Sequence, residues 1–183
     1  MPADHSFDER LLHWIDQHRV APLTSFTRAL MHAGTAWQVL LAVGIAGVIW
    51  VVVARAWRPG AAAVIAAFLG GEGSRLLKDH FQRARPPAAE SLVRLHGYAM
   101  PSSHSAVTSA MVVALLIAVP WRSERQRLVV GAVLVSALVV VAASMVYLGA
   151  HWATDVLAGW ALGIVAGAVV GALLRPRTER STR

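Results

Sequence analysis

Apolar residues form five long, nearly uncharged runs along this chain, and most polar residues lie between them. The runs cover residues 36–54, 59–77, 105–119, 128–148 and 153–174. Apolar segments of about 20 residues are typical of transmembrane helices. A soluble domain of 183 residues has too little interior to bury this many helices that are apolar all round. The pattern therefore predicts an all-α integral membrane bundle with about five transmembrane helices.

The residues before the first run have an amphipathic pattern instead. Within residues 7–19, Phe7, Leu11 and Trp14 recur at helical spacing, and Pro22 separates this segment from a second short amphipathic one. Neither segment is apolar enough to cross a bilayer. We therefore expect residues 1–34 to form interfacial helices, with an additional span as the alternative. The transmembrane domain would cover residues 35–175, and residues 176–183 would form a basic cytoplasmic tail.

One glycine pattern predicts how the last helix packs. Gly159, Gly163, Gly167 and Gly171 recur every four residues and share one helix face, which favours close contact with a neighbouring helix.

Composition supports a membrane protein and excludes several other classes. Hydrophobic residues make up 56% of the chain, and the mean hydropathy is +0.54. There is no cysteine, so disulfides and thiolate metal sites are excluded. The net charge of +7 does not by itself indicate a nucleic-acid partner. The basic residues lie between apolar runs, where membrane topology explains them.

The arginine distribution predicts the orientation in the membrane. Three segments that alternate with the apolar runs share one side, and their arginines are Arg55, Arg58, Arg122, Arg125, Arg127, Arg175, Arg177, Arg180 and Arg183. The positive-inside rule makes that side cytoplasmic. Residues 78–104 and 149–152 then face the periplasm or exterior of a bacterial inner (plasma) membrane. Residues 78–104 are also basic, which favours a local use such as phosphate binding.

Three polar clusters lie on this outer side. The first contains Lys78, the only lysine of the chain, and Arg85. Lys78 follows the second apolar run, where a charge is costly. Taken alone, it could equally be a lysine whose side chain extends to the interface at a helix end.

The second cluster, Pro101–Ser105, immediately precedes the third apolar run. A serine at this position can cap a helix, and the N–H groups of a helix start bind anions. His104 is therefore next to a possible phosphate site. Taken alone, the cluster reads more simply as an N-cap with an adjacent histidine.

The third cluster contains His151 and Asp155, which share a helix face because they are four residues apart. A carboxylate bonded to one imidazole nitrogen fixes the tautomer and leaves the other nitrogen free to attack. A structural His–Asp pair is the alternative. Together, the three clusters supply the cations, nucleophile and acid that phosphoryl transfer needs. No acidic cluster suggests a catalytic metal, so no metal or other cofactor is expected.

The three clusters, in this order, resemble the type-2 phosphatidic-acid phosphatase (PAP2) family over residues 34–174. The family pattern is Lys-x6-Arg-Pro, then Pro-Ser-Gly-His, then Ser-Arg-x5-His-x3-Asp. Matching residues are Lys78, Arg85, Pro86, Pro101, Ser102, His104, Ser144, His151 and Asp155. Ser103 replaces the family glycine, which is a mild change because the backbone N–H is kept.

The resemblance implies a metal-independent phosphatase that acts through a phosphohistidine. It implies His151 as the nucleophile, His104 as the general acid and Asp155 as the group that orients His151. The phosphate would be held by Lys78, Arg85, Ser102 and Ser103.

One departure from the family affects the expected activity. Met145 stands where the family has a phosphate-binding arginine. Loss of such a donor could lower the rate by roughly 10²–10³. Three interpretations stay open: a weakened enzyme, compensation by Arg75, Arg83 or Arg94, or an impaired variant.

The expected substrate is a lipid phosphate or diphosphate in the bilayer. Polyprenyl diphosphate is the first choice, followed by phosphatidylglycerophosphate or phosphatidate. A phosphotransferase acting on an acceptor lipid and a non-catalytic lipid-phosphate binding protein are the alternatives. Vanadate-dependent haloperoxidases share the motif but are soluble, so the composition argues against them. The sequence leaves the oligomeric state open.

Overall fold

The computed structural model describes residues 6–35 and 37–176, which form seven helices and no strands. The helices are α1 (Phe7–Gln17), α2 (Ala21–Thr35), α3 (Trp37–Val53), α4 (Trp57–Phe81), α5 (Ser103–Ala118), α6 (Glu124–Tyr147) and α7 (Ala153–Leu174). The predicted all-α class is confirmed. Each of the five apolar runs forms one helix, from α3 to α7, within a few residues of its predicted bounds except at the C-terminal end of α4 and the N-terminal end of α6.

Helices α5 and α7 pack along each other at the centre of the bundle. A Cβ atom at Gly163 would lie 2.0 Å from Ser109 Oγ and 2.3 Å from the carbonyl oxygen of Ala106. At Gly159, a Cβ atom would lie 2.5 Å from the carbonyl oxygen of Ser102. The predicted glycine face of α7 is therefore confirmed as the surface on which α5 packs.

Helix α4 packs against both α5 and α7. Its Gly70 lies so close to α5 that a Cβ atom would be 2.9 Å from the carbonyl oxygen of Ala106. Further along α4, the hydroxyl of Ser74 is 2.8 Å from that of Ser103. Helices α6 and α3 lie outside this core: α6 packs against α5 and α2, and α3 against α4 and α2.

The outer surface of the bundle is apolar, as a bilayer requires. Leu128 is 69% exposed, Val165 63% and Leu173 77%. In the described part of the chain, α6 and α7 are long and apolar enough to span a membrane. Helix α5 has only 16 residues, and α4 carries Glu72 and Lys78 in its second half. The chain is thus a helical membrane protein, and the count of five spans stays a prediction.

The N-terminal helices are attached to the bundle by polar contacts. A capping box between Ser6 and Glu9 begins α1. After α1, the guanidinium of Arg19 donates to the carbonyl oxygens of Tyr147, at 3.1 Å, and Glu90, at 2.6 Å. These contacts hold α1 at the end of the bundle where α6 ends. The interfacial position of α1 and α2 in the membrane stays a prediction.

Candidate active site

The three polar clusters of the sequence meet at one end of the bundle. Helix α4 ends there, α5 and α7 begin there, and residues 82–102 cover the same end. Among the described residues, no group of three or more His, Asp or Glu side chains is placed to hold a metal ion.

His151 and Asp155 form a buried pair at the start of α7. Their side chains are 7% and 0% exposed, and His151 Nδ1 lies 3.4 Å from Asp155 Oδ2. The same Oδ2 accepts a hydrogen bond of 3.0 Å from the backbone N–H of Trp152. Because Asp155 is in the first turn of α7, its charge is also favoured by the helix dipole. The carboxylate is therefore fixed in a position that faces one imidazole nitrogen.

The turn before His151 depends on Gly149. Its φ of +69° lies in the left-handed region, which favours glycine. A Cβ atom here would also lie 2.9 Å from the carbonyl oxygen of Glu90. Both the conformation and the close approach explain why the turn that presents His151 contains a glycine.

Arg85 lies on the other side of the His151 ring. Its Nη1 is 3.3 Å from His151 Nε2 and donates a 2.8 Å hydrogen bond to the carbonyl oxygen of Ala150. Lys78, in the last turn of α4, donates to the carbonyl oxygens of Tyr98, at 2.8 Å, and Ala99, at 3.2 Å. Two cations are thus anchored beside the histidine by backbone carbonyls that leave their charge uncompensated.

The side chains of Ser102 and Ser103 are engaged within the protein. Ser102 is fully buried, and its Oγ accepts from the N–H and the hydroxyl of Ser105, at 3.4 and 3.1 Å. Ser103 Oγ accepts a hydrogen bond from the hydroxyl of Ser74. The N–H of Ser102 donates to the carbonyl oxygen of Asp155, at 2.9 Å. Anion binding by this segment would therefore come from the N–H groups of Ser103 and His104 at the start of α5, which have no acceptor inside the helix.

His104 and His151 line one cavity of about 390 Å³. Met145 and Ser144 of α6 line it as well, and the other lining residues, Leu30, Met31, Ala33, Gly34, Leu95, Val141 and Ala150, are apolar. The ring of His104 makes no hydrogen bond to any residue in the described ranges. The cavity thus joins two histidines to an apolar recess between α2 and α6.

Burial lowers the pKa of His151 below its ordinary value of 6.5, against the opposing effect of Asp155. Arg85 and Lys78 add to the lowering. Desolvation and neighbouring cations both disfavour imidazolium. The neutral ring, which is the nucleophilic form, is therefore favoured near neutral pH.

Comparison with known proteins places the chain in a family. Residues 35–179 match the family described as the PAP2 superfamily. The chain belongs to the PAP2 superfamily. Phosphatidylglycerophosphatase B of Bacillus subtilis (strain 168) is 35% identical over 96 residues, which are 50% of this chain and 46% of that protein. The match therefore spans about half the length of this curated relative.

Two solved PAP2 structures have a similar fold. One is described as the first transmembrane PAP2 type phosphatidylglycerolphosphate phosphatase from Bacillus subtilis, with a TM-score of 0.79 and 24% identity. The alignment covers 94% of this chain and 87% of that one. The other is Aquifex aeolicus LpxE, with a TM-score of 0.68, 20% identity and coverages of 93% and 98%. At these identities, the likeness establishes the fold.

The structure also locates the departure from the PAP2 pattern. Met145 is half-buried and lines the cavity that contains both histidines. Of the three arginines considered as replacements, Arg75 is exposed and paired with Glu72, at 2.7 Å. Arg83 forms salt bridges with the carboxylates of Asp8 and Asp155. Arg94 is exposed and lines a neighbouring pocket of about 330 Å³ together with Arg85, so it is the best placed of the three.

Two site residues were not assigned a role from the sequence. Asp8 of α1 forms a salt bridge with Arg83, and Arg83 forms a second one with Asp155. Asp8 lies in a segment that was predicted to be an interfacial helix, and Arg83 was considered only as a substitute phosphate ligand. Asp8 and Arg83 are far apart in the sequence, so no local sequence pattern indicates that they pair.

Proposed function

We propose that this PAP2 protein is a metal-independent membrane lipid phosphatase that acts through a phosphohistidine on His151. The observation that carries the proposal is the contact between Arg85 and His151 Nε2. A guanidinium can only donate hydrogen bonds, so this contact favours the tautomer in which Nε2 is unprotonated. The proton then lies on Nδ1, which faces Asp155. This tautomer presents a lone pair beside a phosphate-binding cation.

The reaction would proceed in two balanced steps. The Nε2 lone pair attacks phosphorus, and the bond from phosphorus to the lipid oxygen breaks. That oxygen takes a proton from His104. A water molecule then attacks the phosphohistidine, giving its proton to His104, and inorganic phosphate leaves as Nε2 recovers its lone pair. Lys78, Arg85 and the first N–H groups of α5 would stabilise the charge on the phosphoryl oxygens.

The cavity supports a lipid as the substrate. It is lined by apolar side chains of α2 and α6 and reaches both histidines. An acyl or prenyl chain could occupy this recess while its phosphate contacts His151. The similarity to a phosphatidylglycerophosphatase makes phosphatidylglycerophosphate the first substrate to test, ahead of phosphatidate and polyprenyl diphosphate.

The charge distribution supports an active site on the outer side of a bacterial inner membrane. Arg127 and Arg175 lie together at the opposite end of the bundle, where they line one pocket. Arginine-rich ends favour the cytoplasm. His104 and His151 would then face the periplasm or exterior.

Met145 supports a second candidate, a lipid-phosphate binding protein with little or no turnover. It places a thioether in the cavity at the position where the family has a cation. Lys78 and Arg85 would still bind the phosphate. The transition state of its transfer, however, would lack one of the cations that stabilise it.

A phosphate-release screen on the purified protein separates these functions. The substrates are phosphatidylglycerophosphate, phosphatidate and polyprenyl diphosphate, each with and without EDTA, and His151→Ala is the control. Turnover that resists EDTA and disappears in His151→Ala supports the proposal. Saturable binding without turnover favours the binding protein, and a phosphorylated acceptor lipid in place of free phosphate favours a phosphotransferase. Loss of turnover with EDTA would contradict metal independence.

A further inference from the structure

A carboxylate from the N-terminal helix is buried beside the start of α7. The side chain of Asp8 is 4% exposed, although α1 lies at the end of the bundle. Its Oδ2 accepts a 2.6 Å hydrogen bond from Arg83 Nη2, and its Oδ1 accepts one of 3.1 Å from the N–H of Thr154. The hydroxyl of Thr154 also donates to Asp8. Every part of this carboxylate is therefore paired, as a buried charge requires.

Arg83 joins Asp8 to Asp155, the carboxylate that faces His151. Its Nη1 donates to Asp155 Oδ1, at 2.7 Å, and to Thr154 Oγ1, at 2.6 Å. Its guanidinium also lies 5.5 Å from the ring centre of Trp152. Because Asp8 and Asp155 bind its two ends, the plane of the guanidinium is set by both carboxylates.

Asp155 consequently has a separate partner for each oxygen. Oδ1 is held by Arg83, and Oδ2 faces His151 Nδ1 and the N–H of Trp152. An unbroken series of contacts therefore runs from Asp8 through Arg83 and Asp155 to His151. The position of the histidine depends on Asp155, and the position of Asp155 depends on Arg83.

We propose that Asp8 is a positioning residue: its carboxylate fixes Arg83, which holds Asp155 in the orientation that presents His151. This inference rests on the proposed role of His151 as the nucleophile. It makes α1 part of the catalytic unit, although α1 precedes the PAP2 match at residues 35–179. The contacts of Arg19 with Tyr147 and Glu90 keep α1 in place for this role.

A simpler alternative is that the Asp8–Arg83 pair only attaches α1 to the bundle. The two interpretations differ in what they predict for the pKa of His151. The charged groups around this ring are Asp155 of α7, Arg85 of the 82–102 loop and Lys78 of α4. His104 of α5 lines the same cavity, and the residues that α2 and α6 contribute to it are uncharged.

Loss of each partner should move this pKa in an opposite direction. Asp8→Asn removes a negative charge and leaves Arg83 to act on Asp155 alone, so the pKa of His151 should fall by about half a pH unit. Arg83→Gln leaves Asp155 uncompensated, so the pKa should rise by about one unit. The double variant should lie between the two.

The measurement is NMR titration of the full-length protein in detergent, with the histidine rings labelled with ¹³C. The His151 signal is assigned by its absence in His151→Asn. Asp16→Asn is the matched control, since it removes a carboxylate from the same helix and also leaves an arginine, Arg19, without that partner. It should leave the pKa of His151 unchanged. In a phosphate-release assay, Asp8→Asn should lower kcat about tenfold and change KM less than twofold.

Unchanged His151 pKa values in both Asp8→Asn and Arg83→Gln would overturn the inference and leave Asp8 as an anchor of α1. If Asp8→Asn does not fold, Asp8→Glu replaces it. That variant keeps the charge and should keep the pKa while kcat falls, and an unchanged kcat would contradict positioning. The titration needs no turnover. An inactive wild-type protein would therefore contradict the proposed function without deciding the role of Asp8.

Discussion

Nη1 of Arg85 lies 3.3 Å from Nε2 of His151, on the side of the ring opposite Asp155. The cation is therefore adjacent to the atom that would attack phosphorus. A phosphoryl group bound to Arg85 would be held within reach of that atom, which is the proximity that phosphoryl transfer requires.

The first prediction concerns the nucleophile. His151→Ala should lower turnover by at least about 10³-fold and abolish an acid-labile phosphoenzyme, because no other group occupies the position of Nε2. His104→Ala should slow formation of that intermediate most for lipids with poor leaving groups, since its proton is then most needed. Rapid-quench assays with ³²P-labelled substrate measure both effects. Substantial turnover by His151→Ala would mean that the mechanism is wrong.

The second prediction concerns Met145. Met145→Arg should raise kcat at least about tenfold, equal to roughly 1.4 kcal/mol of transition-state stabilisation, because it returns a cation to the cavity lined by His104 and His151. KM should change less than kcat if the contact tightens as charge develops. Met145→Leu is the control and should give no gain.

If a folded Met145→Arg is no faster than wild type, another residue already supplies this charge. Arg94→Gln should then reduce turnover in the wild-type chain, since Arg94 lines the pocket that also contains Arg85.

The third prediction concerns pH. Only neutral His151 can attack, so kcat/KM should rise with pH as His151 loses its proton. Because burial lowers the pKa of His151, the midpoint of this rise should lie below the ordinary value of 6.5. At higher pH, kcat/KM should fall again as His104 loses the proton that it gives to the leaving oxygen. Asp155→Asn removes a charge that favours imidazolium and should move the midpoint further down. A wild-type midpoint above 6.5 would contradict this assignment.

The fourth prediction concerns helix packing. Gly163→Ala should lower thermal stability by about 1–3 kcal/mol, because its Cβ atom would lie 2.3 Å from the carbonyl oxygen of Ala106. Gly44→Ala is the matched control in α3, since nothing lies within 4 Å of a Cβ atom there. Thermal unfolding in detergent compares the two. Equal stability of both variants would show that α5 and α7 can move apart at Gly163 without a loss of thermal stability.

The fifth prediction concerns orientation. The chain has no cysteine, so a single introduced cysteine is the only residue that a thiol reagent labels. A cysteine at Ala89, which is exposed at the active-site end, should react with an impermeant thiol reagent in intact cells. A cysteine at Pro120, which is exposed at the opposite end, should react only after lysis. The reverse pattern would place the active site in the cytoplasm.

Local sequence determined the helices and most of the candidate site. Each of the five long apolar runs forms a helix, and a four-residue spacing on a helix places His151 and Asp155 on one face regardless of the rest of the fold. The glycine face of α7 similarly required a close neighbour, although only the structure identified that neighbour as α5.

Tertiary structure alone decided how the site is completed. It buried the hydroxyl of Ser102 in a cap, placed Met145 in the cavity with both histidines, and brought Asp8 and Arg83 together from different parts of the chain. Sequence patterns report periodicity along a single helix. A contact such as Asp8–Arg83 depends instead on how separate helices pack, and a buried carboxylate is stable only where that packing supplies its partner.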